Sequence, residues 1–229
     1  MPQRQLRSSN RFLSSLPRDV SQQLVANLEV VDLAAGQMLS EPGEVMRYVY
    51  FPVSALLTFL ATIDEDTEFA VGMVGREGIC NVTCALGSYH SPFRTVVQCP
   101  GQALRMKANV FVKHFRDSEV LRDQVLKFVL KLNVHMAQTA ACTRYHEIDQ
   151  RLARWLLMTR NCLSSDKFNI THEVLSNYLG VRRVGVTHSA KTLKERKLIS
   201  YVRGAVHIIN AAGLEEVSCP CHTLKVGVS

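Results

Sequence analysis

Side chains able to recognise nucleic acid are concentrated between Thr171 and Arg203. An arginine can donate two parallel hydrogen bonds to guanine O6 and N7, and its charge also suits phosphate. Threonine and histidine can bond to bases or phosphates, whereas lysines farther along a helix reach phosphate, which fixes register without reading sequence. The predicted DNA contacts are Thr171, Arg182, Arg183, Thr187, His188, Lys191, Lys194 and Arg203, the last three being assigned to phosphate. The alternative, a basic face that is merely solvated, stays open.

Two helices and a short strand pair must position these side chains. A helix is predicted over 172–179, and Gly180 suits the left-handed backbone that ends it. A second helix is predicted from 183 to about 197. Apolar alternation over 198–209, with a turn at Arg203-Gly204, predicts a hairpin directly after it. Together they predict a winged helix whose second helix enters the major groove.

The net charge of the chain points to the same segment. The 229 residues contain 27 Lys and Arg against 20 Asp and Glu, a net charge of +7. Residues 142–210 hold 12 of the basic and 5 of the acidic residues, so the rest of the chain is neutral. Clustered positive charge favours a polyanionic partner. An ordinary composition, 47% hydrophobic and 21% charged, excludes a largely disordered chain or a coiled-coil rod.

Further elements precede the predicted winged helix. A helix is predicted over 17–28, and short apolar runs between turn residues over 30–106 predict an antiparallel β domain with an exposed turn at Asp64-Glu65-Asp66. The fold class is therefore α+β. The predicted domains are a sensory β-roll or jelly-roll over 12–116, a dimerisation helix over 117–142, a winged helix-turn-helix over 143–217 and a tail over 218–229.

The predicted dimerisation helix carries two neighbouring stripes. One comprises Leu121, Val125, Phe128, Leu132, His135, Thr139 and Cys142, and the other comprises Leu126, Val129, Asn133, Met136 and Ala140. Two adjacent stripes must be covered by protein on two sides of the helix. This predicts that the helix contacts its own domain on one side and a second copy of the chain on the other. Burial within one chain is the alternative. A following helix is predicted over 147–161, with Arg151, Arg154 and Arg160 facing solvent.

The seven cysteines are scattered and odd in number, unlike a disulfide scaffold, so most are expected to be reduced and buried. Two groups have metal-ligand chemistry: Cys80 with Cys84, and Cys219-Pro220-Cys221-His222. A structural zinc ion needs four ligands, and no second Cys-x-x-Cys or His-x-x-x-His completes either group. No metal ligand is therefore predicted, although metal capture or a thiol redox switch stays open for the second group.

Two general features of the chain bear on its compartment and on catalysis. No secretory signal or membrane span is recognisable, which predicts a cytoplasmic protein. The chain has no Gly-x-Ser-x-Gly elbow, phosphate loop or His-Glu-x-x-His motif. Glu77 with His90 could form an acid–base pair, but no spacing supports it. The prediction is therefore a protein that is not an enzyme and has no catalytic residues.

The order of a β-roll, a long helix and a winged helix resembles the Crp/Fnr family of bacterial transcription regulators. The resemblance is strongest in Arg151-Leu152-Ala153-Arg154-Trp155-Leu156-Leu157, in Leu179-Gly180-Val181-Arg182-Arg183, and in Arg203-Gly204 with Gly213-Leu214-Glu215. It implies a homodimeric transcription regulator that binds a palindromic DNA operator and acts on RNA polymerase. Cys219-Pro220-Cys221 is similar to tails in one branch of the family.

The resemblance also implies a place for an effector in the β-roll. Cyclic-nucleotide-binding members use an adjacent Gly-Glu and a later Arg-Ser or Arg-Thr to hold ribose and phosphate. The matching candidates here are Gly75, Glu77, Arg94 and Thr95, but Arg76 separates Gly75 from Glu77, which would re-aim the carboxylate. A cyclic nucleotide is therefore one candidate effector and no cofactor is assigned. The alternative is a cyclic-nucleotide-binding or haem- or redox-sensing signalling module of the same architecture with no catalytic activity. Pro2 with Cys80 or His90 would be the candidate haem ligands. A cyclic-nucleotide-binding or protein-interaction module whose helix-turn-helix has no DNA role also stays open.

Overall fold

The computed structural model describes residues 5, 8–62 and 68–222. The chain divides into two compact units. One comprises residues 1–59 and 73–133, and the other comprises residues 60–72 and 134–229. Two features considered from the sequence, the Asp64-Glu65-Asp66 turn and Pro2, lie outside the described residues.

Among the described residues, the N-terminal β domain has two short helices before seven strands, and a 3-10 helix (Val82–Leu86) lies between the fifth and sixth strands. The helices are α1 (Arg11–Ser15) and α2 (Arg18–Val25), and the strands are β1 (Glu29–Leu33), β2 (Met38–Ser40), β3 (Tyr48–Pro52), β4 (Leu56–Thr62), β5 (Glu68–Val74), β6 (Arg94–Cys99) and β7 (Gly101–Lys107). One sheet has the order β1-β7-β3 and the other the order β2-β6-β4-β5. The pairs of β7 with β1 and β3, and of β2 with β6, are antiparallel. The predicted antiparallel β domain is confirmed.

The predicted helix over 17–28 is shorter in the structure, because α2 starts at Arg18 and ends at Val25. Its buried side chains belong to a core that α1, β3 and a further helix α3 (Ala108–Asp117) share. Phe51 and Phe111 are fully buried there, and their rings meet edge to face with centroids 6.0 Å apart. Asn10 is also buried; its side-chain amide donates to the carbonyls of Pro52 and Gly78 and its oxygen caps α1.

The predicted long helix is present as α4 (Glu119–Tyr145), and it begins after Ser118, whose hydroxyl accepts the Leu121 N–H at 3.2 Å. Leu121 and Val125 are fully buried in the N-terminal core, and Phe128 packs against it. The first stripe is therefore covered, up to Phe128, by the helix's own unit. Leu126 and Leu130 stay 46% and 49% exposed on another side.

Up to residue 222, where the description ends, the C-terminal elements are four helices and three strands, followed by a short 3-10 turn (Pro220–His222). They are α5 (Ile148–Leu163), β8 (Lys167–Asn169), α6 (His172–Leu179), α7 (Arg183–Glu195), β9 (Ile199–Val202), β10 (Ala205–Ile208) and α8 (Ala211–Val217). The strands form one antiparallel sheet in the order β8-β10-β9. Trp155 of α5 is buried and stacks on Tyr178 of α6 with ring centroids 5.9 Å apart.

The prediction that Arg151 and Arg154 face solvent is wrong, since they are only 9% and 7% exposed. The Arg151 guanidinium donates to the carbonyl of Leu179 at the C-terminus of α6. The Arg154 guanidinium donates to the Thr139 hydroxyl at 3.3 Å. Both charges therefore serve the interior of the C-terminal unit, where a buried guanidinium must find acceptors. Within the described residues, no helix is both long and apolar enough to span a membrane.

Candidate nucleic-acid interface

Helices α6 and α7 are joined by a tight turn that the sequence encodes locally. The Thr171 hydroxyl accepts the Val174 N–H at 3.2 Å and caps α6. Gly180 has φ +59°, and the next N–H, that of Val181, donates to the Ser176 carbonyl at 3.0 Å. This bond spans six residues, as in a Schellman motif, so α6 stops at the glycine and the chain turns at once into α7. The predicted helix-turn-helix is confirmed.

One side of α7 packs inward and fixes the direction of the other. Val186, Ala190 and Leu193 are buried. At 100° per residue they define one face, and the opposite face must point to solvent. All eight predicted DNA contacts are exposed: Thr171, Arg182, Arg183, Thr187, His188, Lys191, Lys194 and Arg203. Five of them lie on α7 itself, so the structure brings these five side chains onto one accessible helix face.

Val184 is a member of this face that the search for charged and hydrogen-bonding residues missed. Its side chain is 78% exposed, which is high for a valine, and it follows Arg183 at the start of α7. An apolar side chain presented on a groove-facing helix can contact the methyl group of thymine. The sequence could have indicated this exposure, because Val184 does not follow the spacing of three and four residues that places Val186, Ala190 and Leu193 on the inward side of the helix.

Thr187 is tied into a small network that links three elements. Its hydroxyl donates to the Arg183 carbonyl at 3.0 Å, and its oxygen lies 3.0 Å from Nδ1 of His172 at the start of α6. The His172 ring packs on Tyr201 of β9 with centroids 4.4 Å apart. The Tyr201 hydroxyl donates to the Ile170 carbonyl, and burial raises the pKa of Tyr201 to about 12. Because the Thr187 hydroxyl proton is used internally, the methyl group and the remaining oxygen lone pair are what this residue can offer a ligand.

His172, which is not among the predicted DNA contacts, takes part in this network as a neutral imidazole. Burial first, and then the positive charge of Arg183, lower the pKa of His172 from its usual value. The Thr187 hydroxyl donates its proton to the Arg183 carbonyl, so it can only accept from His172, and Nδ1 of the imidazole must carry the ring proton. The other ring nitrogen, Nε2, is buried and has no hydrogen-bond partner within the described residues. Protonation would place an unpaired N–H and a charge beside Arg183, which is unfavourable.

The lowered pKa predicts how stability depends on pH. In the folded state His172 binds a proton less tightly than in the unfolded state. Its contribution to the free energy of unfolding is therefore complete above about pH 6.5 and is lost as the pH falls below that value. We expect the free energy of unfolding to fall more steeply between pH 7 and pH 5 in the wild type than in His172→Gln. The glutamine can keep the bond to Thr187 but cannot titrate. Urea unfolding at both pH values measures this, and parallel losses in the two proteins would contradict it.

The hairpin after α7 places Arg203 at its tip. Strands β9 and β10 pair from Ile199 with Ile208 to Val202 with Ala205. Arg203 and Gly204 connect them with φ values of +49° and +86°, the signature of a two-residue type I′ turn. The Gly204 carbonyl accepts the Ile170 N–H at 2.7 Å, which fixes the turn against the segment before α6. The predicted wing is present.

One acidic side chain lies on the basic face. Glu195 reaches Lys191 across one helical turn with an N···O distance of 3.7 Å, and both side chains are largely exposed. Exposed pairs of this kind add only about 0.3–0.5 kcal/mol to helix stability. Lys191 is therefore held weakly and can exchange this carboxylate for a phosphate.

The four effector candidates have other partners in the structure. The Glu77 carboxylate accepts the Gly75 N–H at 2.9 Å, which closes its own turn. Arg94 donates to Glu41 at 2.7 Å, and Thr95 is buried in β6. Binding of a cyclic phosphate to Arg94 would have to compete with Glu41. Their assignment to an effector stays a prediction.

The cysteines of the β domain are internal. Cys80 and Cys84 are buried and free, and burial raises the pKa of Cys80 to about 12 and that of Cys84 to about 11. A thiol with such a pKa stays protonated near neutral pH and is a poor nucleophile. The expectation that most cysteines are buried is confirmed, because six of the seven are buried and Cys221 is partly exposed. That they are reduced stays a prediction.

Comparisons with known proteins agree with the resemblance found in the sequence. Residues 150–217 match the family model described as the Crp-like helix-turn-helix domain. A search of curated proteins found no match. Among solved structures, a protein from Eubacterium rectale assigned to the Crp/Fnr family of transcriptional regulators has a TM-score of 0.69 at 16% identity, covering 92% of this chain and 98% of that one.

Two further structures show the same fold. FixK2 from Bradyrhizobium japonicum has a TM-score of 0.72 at 10% identity, covering 84% of this chain and 98% of that one. The c-di-GMP-responsive global regulator CLP from Xanthomonas campestris has a TM-score of 0.67 at 13% identity, covering 84% of this chain and 99% of that one. The chain therefore has the Crp/Fnr fold, and its C-terminal domain is a Crp-like helix-turn-helix.

Proposed function

We propose that this chain, with a Crp-like helix-turn-helix on the Crp/Fnr fold, is a homodimeric transcription regulator that binds a palindromic DNA operator. The observation that carries the proposal is the outward face of α7. It presents Arg183, Val184, Thr187, His188, Lys191 and Lys194 together, and an adjacent tight turn and wing hold it in place. Hydrogen-bond donors, a methyl-bearing contact and phosphate-binding cations on one helix are what major-groove readout requires.

In this proposal the residues at the start of α7 read bases and the flanking cations bind the backbone. Arg183 and Val184 lie in the first turn of α7, the part of a recognition helix that reaches base edges. Lys194 lies near the opposite end, and Arg203 lies at the wing tip, where a guanidinium can bind phosphate. Thr171 and Arg182, the caps of α6 and α7, are exposed and also suit phosphate.

Dimerisation is supported by a row of exposed side chains on α4, which is called the α4 stripe. It contains Leu126, Leu130, Asn133, Ala137 and Ala140, spaced by four and three residues, and all five side chains are exposed. Exposed leucines at heptad spacing on a 27-residue helix fit a seam between two helices. Leu126, Asn133 and Ala140 belong to the second stripe predicted from the sequence, and Leu130 belongs to neither predicted stripe.

The DNA-bound dimer would present two α7 helices to successive major grooves, about 34–36 Å apart. An effector bound by the β domain would act by changing that spacing through the long helix, and RNA polymerase would be the downstream partner. The contacts of Glu77 and Arg94 described above leave the class of effector open, cyclic nucleotides included.

In vitro selection from a randomised duplex pool tests the proposal. The purified protein is expected to enrich an inverted repeat whose half-site centres lie about one helical turn apart, and to protect it in footprinting. Selection is best done near 150 mM salt, because non-specific binding to phosphate weakens steeply as salt rises. A pool that shows no common sequence after repeated rounds, with binding that disappears at this salt, would contradict sequence-specific recognition.

A further inference from the structure

A cluster of sulfur and nitrogen ligands lies within the C-terminal unit, away from the face of α7. It comprises Cys142 and His146 at the end of α4, and Cys219 and Cys221 after α8. Their ligand atoms all lie within 4.8 Å of one another. The Sγ atoms of Cys142 and Cys219 are 3.8 Å apart, and Sγ of Cys221 is 3.8 Å from Nδ1 of His146.

Local structure aims each pair of ligands to the same side. Cys142 and His146 are four residues apart, and the His146 N–H donates to the Cys142 carbonyl at 3.2 Å, so one further helical turn puts both side chains on one face. Cys219 and Cys221 flank Pro220, whose ring restricts φ within the short 3-10 turn. The two pairs come from segments separated by 77 residues between Cys142 and Cys219.

The distances fit one tetrahedral metal ion better than a disulfide. Zinc–thiolate bonds of about 2.3 Å in a regular tetrahedron place neighbouring sulfur atoms about 3.8 Å apart, as Cys142 and Cys219 are. A disulfide needs its sulfur atoms about 2.05 Å apart, which is far shorter than the 3.8 Å between Cys142 and Cys219. An iron–sulfur cluster holds several iron and sulfide atoms between its cysteines, and ligand atoms within 4.8 Å leave no room for it.

The surroundings of the cluster suit a bound ion. Gln138 donates an amide N–H to Sγ of Cys221 at 2.8 Å, the kind of outer hydrogen bond that orients thiolate ligands. Three thiolates and one imidazole around a divalent ion leave one net negative charge. The buried guanidinium of Arg151 lies close enough to feel the charges of Cys142 and Cys219 and offsets it. Cys142 and Cys219 are buried, while His146 and Cys221 are only partly covered and leave a path for the ion.

We propose that Cys142, His146, Cys219 and Cys221 form a structural Zn²⁺ site. The ion closes the C-terminal unit by fastening the segment after α8 to the end of α4. Three cysteines and one histidine are a common ligand set of structural zinc, which favours closed tetrahedral coordination. This site is independent of the proposed DNA recognition, because none of its ligands lies on α6, α7 or the wing.

Metal content of the full chain tests the site directly. The protein is reduced, incubated with Zn²⁺, desalted and analysed by plasma mass spectrometry. We expect about one zinc per chain in the wild type, and at least about a tenfold fall in Cys221→Ser and in the double variant Cys219→Ser/Cys221→Ser. The matched control is Cys162→Ser, which removes a buried cysteine of the same unit outside the cluster and should keep about one zinc.

Spectroscopy with Co²⁺ separates ligation by thiolates from loose binding. The wild type loaded with Co²⁺ should show thiolate-to-metal charge transfer and the intense visible bands of tetrahedral cobalt, and Cys221→Ser should lose much of both. Circular dichroism establishes that this variant folds, since Cys221 is the partly exposed member of the set. Failure of the reduced wild type to retain metal, or unchanged retention in the double variant, overturns the proposal. A disulfide in the isolated protein with no metal uptake after reduction also overturns it and favours a thiol switch.

Discussion

Replacing Leu126 and Leu130 together by aspartate is expected to dissociate the proposed dimer and weaken binding to a palindromic operator by at least about 100-fold. The change puts two carboxylates from each copy into the α4 stripe, where they would face their counterparts across the seam. Juxtaposed like charges cost several kcal/mol, and each 1.4 kcal/mol changes an equilibrium constant tenfold. Analytical ultracentrifugation gives the oligomeric state, and gel shifts on the selected operator give the affinity.

The matched control is Lys127→Glu with Lys131→Glu on the same helix. These exposed lysines lie about 100° around α4 from the leucines, and their replacement adds even more negative charge. We expect the control to remain dimeric. Dissociation of both double variants, or of neither, would show that the α4 stripe is not the seam. Because Leu126 and Leu130 are already exposed, the thermal unfolding of the separated chain should stay cooperative.

Arg183→Ala is expected to reduce affinity for the selected operator by about 1–3 kcal/mol, which is roughly 5- to 150-fold, and to affect random DNA far less. A bidentate arginine–guanine contact discriminates between bases by about this amount. Lys194→Ala removes the same charge from the same helix, but we expect it to weaken operator and random DNA alike. It should also lower the slope of log affinity against log salt by about one.

The two variants are controls for each other, because each loses one positive charge from an exposed position on α7. Binding isotherms on operator and scrambled duplexes at several salt concentrations separate the two roles. Equal losses on both duplexes for both variants would refute base readout by Arg183. The helix itself would then contribute charge alone.

The helix-turn-helix could be predicted closely from sequence because its signals are local. The N-cap at Thr171, the glycine at 180 and the inward spacing of Val186, Ala190 and Leu193 each act within a few residues. The one difference is the end of α7, which was predicted near Lys197 and lies at Glu195. Lys197 has φ +58°, a left-handed backbone conformation that cannot continue the helix. Lysine is not a residue type that predicts this conformation, so the earlier end of α7 could not be predicted.

The role of the charges in α5 could not be predicted in the same way. Helical periodicity describes one helix without its neighbours, and it assigns Arg151 and Arg154 to the polar, solvent-facing side. In the structure their partners are the Leu179 carbonyl and the Thr139 hydroxyl, which come from other helices. Two of the twelve basic residues that locate the net charge therefore stabilise the interior and do not extend the basic surface.

The cluster of Cys142, His146, Cys219 and Cys221 could not be predicted from the sequence, because its ligands come from separate segments. Cys219, Cys221 and His222 were weighed as a local group, and the group lacked a second pair. The missing pair is Cys142, which was counted as one position of an apolar stripe, and His146, which follows the last residue of the long helix. Only the packed unit places Cys142 and His146 next to the tail. Ligands contributed by distant segments leave no spacing rule to read.

The turn of the wing has a consequence for how this domain can change over evolution. A non-glycine residue with a left-handed backbone, such as Arg203, costs about 1–2 kcal/mol relative to a right-handed one. Asparagine or glycine would relax the turn but would remove the guanidinium from its tip. Selection for stability alone would drive the arginine out, whereas selection for a cation at this point keeps it. The position is therefore a place where thermal robustness and affinity trade against each other, and stabilised variants of the domain should tend to lose the arginine first.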